Sequence, residues 1–401
     1  MKRRLIIAGV ILVFAAAAVG GVYWAKYHTP KTQKASTAAS TVPKKAPPAP
    51  VKTVSGSYLI SGDVFWGRGI DYYAQRSPLK YDWPFSRLSE FHPDRYDGWI
   101  SDMECPITDH TVPYQTQVDR LILQCPPAYT AAASKYFTAF TLANNHTDNT
   151  GASGFADTKA NLQKNGIQYF GHYDLSQTAD LCEIISMPAK LNGKATRLPI
   201  AMCGYHWLYS YPTDAELAQI SLYAKYFPVW VFPHGGVEYV TSHTSAQQTL
   251  YRKMIDLGAS AVFGDHPHVV EDTEAYKGKL IVYNVGNLVY DQWFDNEVTK
   301  SLILNVQVSA TVDNNLQAYL DMADTCVAFK DDCLQQAQQK GLHAPGFIYQ
   351  YNVLAGDSSN DNDYTRRKHP ATPEVYQWLL KRLDWSQTEA GLTKEPIPAT
   401  D

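Results

Sequence analysis

At 401 residues, 45% hydrophobic and 18% charged, the chain has enough apolar surface for one large domain or two ordinary ones, which excludes a disordered polypeptide. The formal net charge of −4 hides an asymmetry: residues 1–53 hold nine Lys/Arg and no acid, leaving 26 bases against 39 acids, or −13, for the rest. So acidic a body lacks the positive field that draws phosphates, which excludes a nucleic-acid partner.

Lys2, Arg3 and Arg4 precede an uncharged run from Leu5 to Trp24. About 20 apolar residues cross ~30 Å of hydrocarbon as a helix. The basic cluster keeps residues 1–4 in the cytoplasm and sends the rest outside. A cleaved signal peptide is the rival reading, because Ala15–Ala18 and Gly20-Gly21 are small; the length of the run favours an anchor over residues 5–25. The expectation is a single-pass protein of the cell membrane with an extracytoplasmic body. Residues 26–53, rich in Ala, Ser, Thr, Pro and Lys, read as an extended linker. Six cysteines suit an oxidising compartment. Local pairing (105–125, 182–203, 326–333) is expected among the roughly fifteen pairings open to six cysteines, with free core thiols as the alternative.

The folded body begins near Val54. Ser57–Ser61, Trp99–Met103 and Phe137–Ala143 are β-type runs, and Ser153–Lys164 is helical, stopped at Asn165-Gly166. Val229–Phe232 is β-type, and Ser245–Asp256 is a helix stopped at Gly258. Ala259–Phe263 and Leu280–Tyr283 are buried-type strands, and Leu302–Val308 is the last strand of residues 54–309. Strands alternating with helices predict an α/β layered fold. Residues 310–401 read as a C-terminal extension, with helices near Asn315–Ala323 and Thr372–Leu383 and a polar loop at Gly356–Asp363.

Run after run of apolar β-type sequence ends in a residue competent to bind metal. Asp63 follows Ser57–Gly62, Glu104 follows Trp99–Met103, and Asn144-Asn145-His146 follows Phe137–Ala143. His234 follows Val229–Pro233, and Asp265-His266-Pro267-His268 follows Ala261–Gly264. Ligands of open α/β sheets bind outside the carboxyl ends of the strands, so residues far apart in sequence converge there. Singly, each is explained by less: a lone Asp after a strand is usually a turn or cap residue, and Glu104 has a possible partner in Arg120. Jointly, carboxylate and imidazole ligands suit Mn, Zn or Fe. One or two such ions activate water and clamp a phosphoryl or carbonyl oxygen, while a nearby histidine serves the leaving group.

Six ordered blocks carry a family resemblance. They are Gly62-Asp63-Val64-Phe65-Trp66-Gly67-Arg68, Asp102-Met103-Glu104-Cys105-Pro106-Ile107-Thr108, Leu142-Ala143-Asn144-Asn145-His146, His234-Gly235-Gly236-Val237-Glu238-Tyr239, Gly264-Asp265-His266-Pro267-His268-Val269 and Tyr283-Asn284-Val285-Gly286-Asn287-Leu288. Over residues 57–308 the chain resembles the bacterial capsule-synthesis and poly-γ-glutamate-synthesis proteins (CapA/PgsA type), which are in turn similar to calcineurin-like metallophosphoesterases. The resemblance implies a layered αββα fold and a set of roles. Asp63 and His268 would serve a first metal site, Asn145, His234 and His266 a second, and Glu104 would bridge them. His146 would be the general acid, and Arg68 would pair with an anionic substrate group. The chain departs from the pattern at Phe65, where the phosphoesterases place a ligating His, and at Gly235, Asp265, Leu288 and Asn149. The first site is thereby one ligand short.

Three functions follow as expectations. The first is a metal-dependent hydrolase or transferase acting on an anionic surface polymer or its precursor, through a phosphoester or a γ-glutamyl amide. The second is a non-catalytic subunit beside a membrane polymer synthase. The third is a surface binding protein, which the 27 tyrosines favour.

Overall fold

The computed structural model describes residues 52–323, 326, 330–359 and 366–397. The expected anchor at 5–25 lies outside them, and no helix among the described residues is long and apolar enough to cross a membrane. The strands are β1 (Thr53–Val64), β2 (Gly98–Met103), β3 (Ala139–Thr141), β4 (Gln168–Phe170), β5 (Cys182–Leu191), β6 (Lys194–His206) and β7 (Val229–His234). After them come β8 (Ala261–Phe263), β9 (Thr273–Tyr276), β10 (Lys279–Val282), β11 (Lys300–Thr311), β12 (Ile348–Asp357) and β13 (His369–Pro370). All belong to one hydrogen-bonded sheet in a mixed α/β fold.

β1 is the fork of that sheet. Val54 and Ser55 pair with Leu191 and Lys190 of β5, whereas Tyr58–Val64 run parallel to β2, and the other edge of β1 pairs with β11. One arm therefore runs β1-β2-β3-β4, the other β5-β6-β7-β8-β10-β9. The period-2 alternation of β1 explains how it serves two cores. Tyr58 and Ile60 join the main apolar cluster, where Tyr58 meets Trp230 of β7 with ring centroids 5.8 Å apart. Leu59 points the opposite way, into a second cluster with Trp99, Phe137 and Phe140. The arms close on each other where Phe170 of β4 meets Phe232 of β7. Two glycines permit this approach: a Cβ on Gly204 would lie 2.7 Å from the Ala143 Cβ, and Gly171 has φ +79°.

β1 to β4 run parallel to one another, as do β6, β7, β8 and β10. The carboxyl ends of both sets meet at one edge of the molecule, shown by contacts between His234 of β7 and the β2 residue Asp102. The structure joins Cys105–Cys125, Cys182–Cys203 and Cys326–Cys333. The first ties down the segment that begins just after Glu104, and the second links residues directly opposite in β5 and β6.

Several sequence expectations need correction. The segment after residue 310 contains a ten-residue strand, β12, paired with β11 from Lys300↔Asp357 to Ser309↔Ile348. Gly356 and Asp357, expected in a polar loop, are its last residues. β12 alternates weakly in polarity (Tyr349, Gln350, Tyr351, Asn352), which hid it. The helix Asp214–Ala224 was not expected either, although its Thr213/Glu216 capping box is a start signal.

Candidate metal centre

Each candidate ligand leaves a strand end, and local structure aims it. The backbone carbonyl of Asp63, at the end of β1, accepts from the N–H groups of Leu288 and Val289. The chain segments meet so closely there that a Cβ on Gly62 would lie 2.0 Å from the Gly286 carbonyl oxygen. That approach brings in Asn287, whose Oδ1 lies 2.9 Å from His268 Nδ1, and the same Nδ1 lies 3.0 Å from Asp63 Oδ2. His266 and His268 both adopt left-handed backbone, φ +103° and +60°. Such conformations cost about 1–3 kcal/mol each in residues with a Cβ and concentrate at functional sites. Backbone bonds impose them here: Asp265 N–H donates to Pro233, Gly235 N–H to Asp265, and Tyr239 N–H to Pro267.

Asp63, Glu104, His234, His266 and His268 are all buried and share one pocket. Donor atoms of Glu104, His234 and His266 lie within 4.8 Å of one another, and so do those of Asp63, Glu104 and His268 and those of Asp63, Asp102 and His234. Glu104 belongs to the first two groups. Asn145 joins through its Oδ1, 2.8 Å from His234 Nε2, which is itself 3.6 Å from Glu104 Oε1. His146 is half-buried beside them, its Nδ1 2.8 Å from Asn149 Oδ1. The same Asn149 oxygen accepts the Leu123 N–H, so the imidazole is oriented with Nδ1–H inward and Nε2 free. The six proposed ligands and His146 are thus brought together. Arg68 is not free: its guanidinium makes a two-pronged ion pair with Asp291, at 2.5 and 3.0 Å, over the Phe65 ring. Arg120 is exposed, whereas Glu104 is buried.

Three contributors were given no role by sequence reasoning, although Asn144 and Asp265 stood in the strand-end runs it singled out. Asp102 Oδ2 lies 2.8 Å from His234 Nδ1; its place two residues before Glu104 on a strand put it on the same face, which was the available signal. Asn144 donates to Asp102 Oδ1 (2.7 Å) and accepts from the N–H groups of His146 and Thr147, shaping the loop that carries Asn145. Asp265 is buried beside Asp63.

The electrostatics describe a pocket built around positive charge. Burial, followed by the charges of Asp63 and Asp102, pushes the Glu104 carboxyl well above the usual range. Burial and Asp63 do the same to Asp102 and Asp265. Burial also acts on Asp63, but the His268 imidazole outweighs it and holds Asp63 low. Burial brings His234 down to about 3 and His146 to about 4. Asp63 Oδ1, both Glu104 oxygens and His266 Nδ1 are buried without a hydrogen-bond partner. Orphaned buried carboxylate oxygens cost several kcal/mol unless a cation meets them. This donor set, oxygen plus imidazole, fits Mn, Zn or Fe.

The fold and pocket define a mixed α/β protein with a buried histidine/carboxylate centre able to hold divalent ions. Residues 57–292 match the family described as bacterial capsule synthesis protein PGA_cap, and the chain belongs to that family. It is 28% identical to the PGA biosynthesis protein CapA of Bacillus subtilis (strain 168), over 65% of this chain and 70% of that protein. It is 27% identical to the capsule biosynthesis protein CapA of Bacillus anthracis, over 66% and 68% respectively. Among solved structures it is similar to a hypothetical protein from Thermus thermophilus, with TM-score 0.34 and 18% identity over 64% of this chain and 94% of that one.

Proposed function

We propose that this chain is a membrane-anchored, extracytoplasmic protein of capsule or poly-γ-glutamate synthesis. In this reading it uses an αββα metallophosphoesterase-like body as a metal-dependent hydrolase or transferase on the polymer or its precursor. The observation that carries the reading is the sharing of Glu104 between two histidine/carboxylate triads in which Asp63 Oδ1 and both Glu104 oxygens are buried without a partner. Three disulfides support an oxidising location.

Asp63, Glu104 and His268 would hold one ion, and Glu104, Asn145, His234 and His266 the other. Such ions, when bound, supply Lewis-acid activation of water and of the scissile centre. The rest belongs to the chain. His146, locked through Nδ1 by Asn149, presents Nε2 to exchange a proton with the leaving group. Buried Tyr290, its ring centroid 5.0 Å from that of His268, and Phe65, packed on Tyr290, exclude water from one wall. Asp102 and Asn144 hold His234 and the 145–146 loop in register.

A second reading, the non-catalytic synthase subunit, is favoured by Phe65 at a ligand position and by Arg68 already paired with Asp291. One assay separates them. The full chain, supplied with Mn or Zn, is tested on phosphomonoesters, phosphodiesters and poly-γ-glutamate, with Glu104→Ala as control. Turnover that a chelator and Glu104→Ala both abolish supports the enzyme; no turnover on any substrate refutes it.

A further inference from the structure

His206 is the last residue of β6, directly opposite His234 in the parallel β6–β7 ladder. It is 9% exposed, and its ring centroid lies 6.2 Å from that of His234. Its Nδ1 lies 3.0 Å from the Tyr173 carbonyl oxygen. A carbonyl oxygen only accepts, so Nδ1 carries the proton and Nε2 of the neutral ring carries a lone pair. That Nε2 is buried and has no partner. His206 belongs to none of the three ligand groups, which separates it from the residues proposed to hold metal. Tyr209, 79% exposed, stands edge-on to its ring 5.3 Å away. The fold sets this geometry through the Gly171–Gly204 approach and the His172↔Tyr205 bridge, which bring the Tyr173 carbonyl to the end of β6.

We propose that His206 is a specificity-determining residue, whose Nε2 accepts a hydrogen bond from an N–H or O–H of the substrate beside the scissile centre held at His234. The inference rests on the hydrolase reading above and deepens it. An acceptor at this place favours a substrate with a donor at its reacting end and disfavours one that presents only oxygen lone pairs. Selectivity of this kind is strong because the wrong substrate leaves a buried polar atom unpaired. Tyr209 forms the outer wall of the subsite.

The test uses the full chain loaded with Mn and a matched pair of probes, γ-glutamyl p-nitroanilide and γ-glutamyl p-nitrophenyl ester. They share the acyl group, and only the anilide carries N–H at the scissile bond. A third probe, bis-p-nitrophenyl phosphate, offers only acceptors, and γ-glutamyl transfer to an added amine or to an added alcohol separates N–H from O–H donors. His206→Ala is expected to lose roughly ten- to a hundred-fold in kcat/KM on the anilide and much less on the ester and the phosphate. Mn content and melting temperature should stay at wild-type values. His206→Gln, which keeps an acceptor oxygen, is expected to recover part of the anilide activity. Equal losses on all probes, or loss of Mn, overturn the assignment and make His206 structural or a ligand. A wild type inert on every probe, with no binding of them by calorimetry, refutes the hydrolase reading itself and this inference with it.

Discussion

Replacing Gly204 by alanine tests how the closure of the two arms builds the pocket. The added Cβ would stand 2.7 Å from the Ala143 Cβ, 2.8 Å from Thr141 Oγ1 and 3.0 Å from the Gly171 Cα. Ordinary carbon–carbon contact begins at about 3.5 Å, so the arms must part by roughly 0.8 Å. Overpacking of this kind costs about 1–3 kcal/mol. Lower entropy of the unfolded chain returns about 0.4–1 kcal/mol. The net is a destabilisation of about 1–2 kcal/mol, or a fall of about 2–4 °C in melting temperature for a domain this large. Ala143 immediately precedes Asn144-Asn145-His146, and His206 lies two residues past Gly204, so the same displacement should weaken divalent-ion binding. Circular dichroism melts and calorimetric Mn titration read the two effects. Ala143→Gly in the Gly204→Ala background removes one of the colliding methyls, and should restore about half of each loss. A Gly204→Ala variant with wild-type melting temperature and Mn affinity would refute this reasoning, as would strict additivity of the two substitutions.

The Cys182→Ala/Cys203→Ala double variant opens a loop of sequence separation 21 and should lose about 3 kcal/mol in denaturant unfolding; an unchanged midpoint contradicts that. Glu271 is held protonated by burial, with its carboxyl pushed up from 4.5 to about 8. Its contribution to stability is therefore complete below pH 4.5 and is lost as pH rises through about 8. Glu271→Gln keeps an acceptor for the Gln247 amide and should match wild type near pH 4. It should exceed wild type by on the order of 4 kcal/mol at pH 8.5; parallel pH–stability curves for the two proteins reject the assignment. Asn149→Ala frees the His146 ring, and should lower kcat about tenfold or more with Mn content unchanged. Loss of Mn in that variant would instead make the Asn145–His146 loop the casualty.

Much of the pocket was legible because strand ends and chemistry coincide. An apolar run followed at once by Asp63, Glu104, His234 or the pair Asp265-His266 marks both where a strand stops and what it presents. Asp102 was harder to see because it sits inside β2, where an acid reads as an exception to an apolar strand until its partner His234 is known. His206 ends a strand with the same logic but matches no motif, and only the tertiary closure at Gly171 and Gly204 reveals its orphaned nitrogen. The β5–β6 hairpin had a strong local signal in Asn192-Gly193, both at positive φ. β12 had only a weak one, the alternation of Tyr349 and Tyr351 with Gln350 and Asn352, and its pairing with β11 is a long-range event. The alternating faces of β1, which feed two cores, likewise depend on what covers each side.

The most direct test of the metal centre is elemental analysis of the full chain after equilibration with Mn or Zn and gel filtration, joined to anomalous scattering from crystals of the same sample. The Glu104–His234–His266 position should fill first and the Asp63–Glu104–His268 position at higher concentration, with Glu104→Ala emptying both. Stoichiometry at background in the wild type, or ions located away from Glu104, would contradict the account.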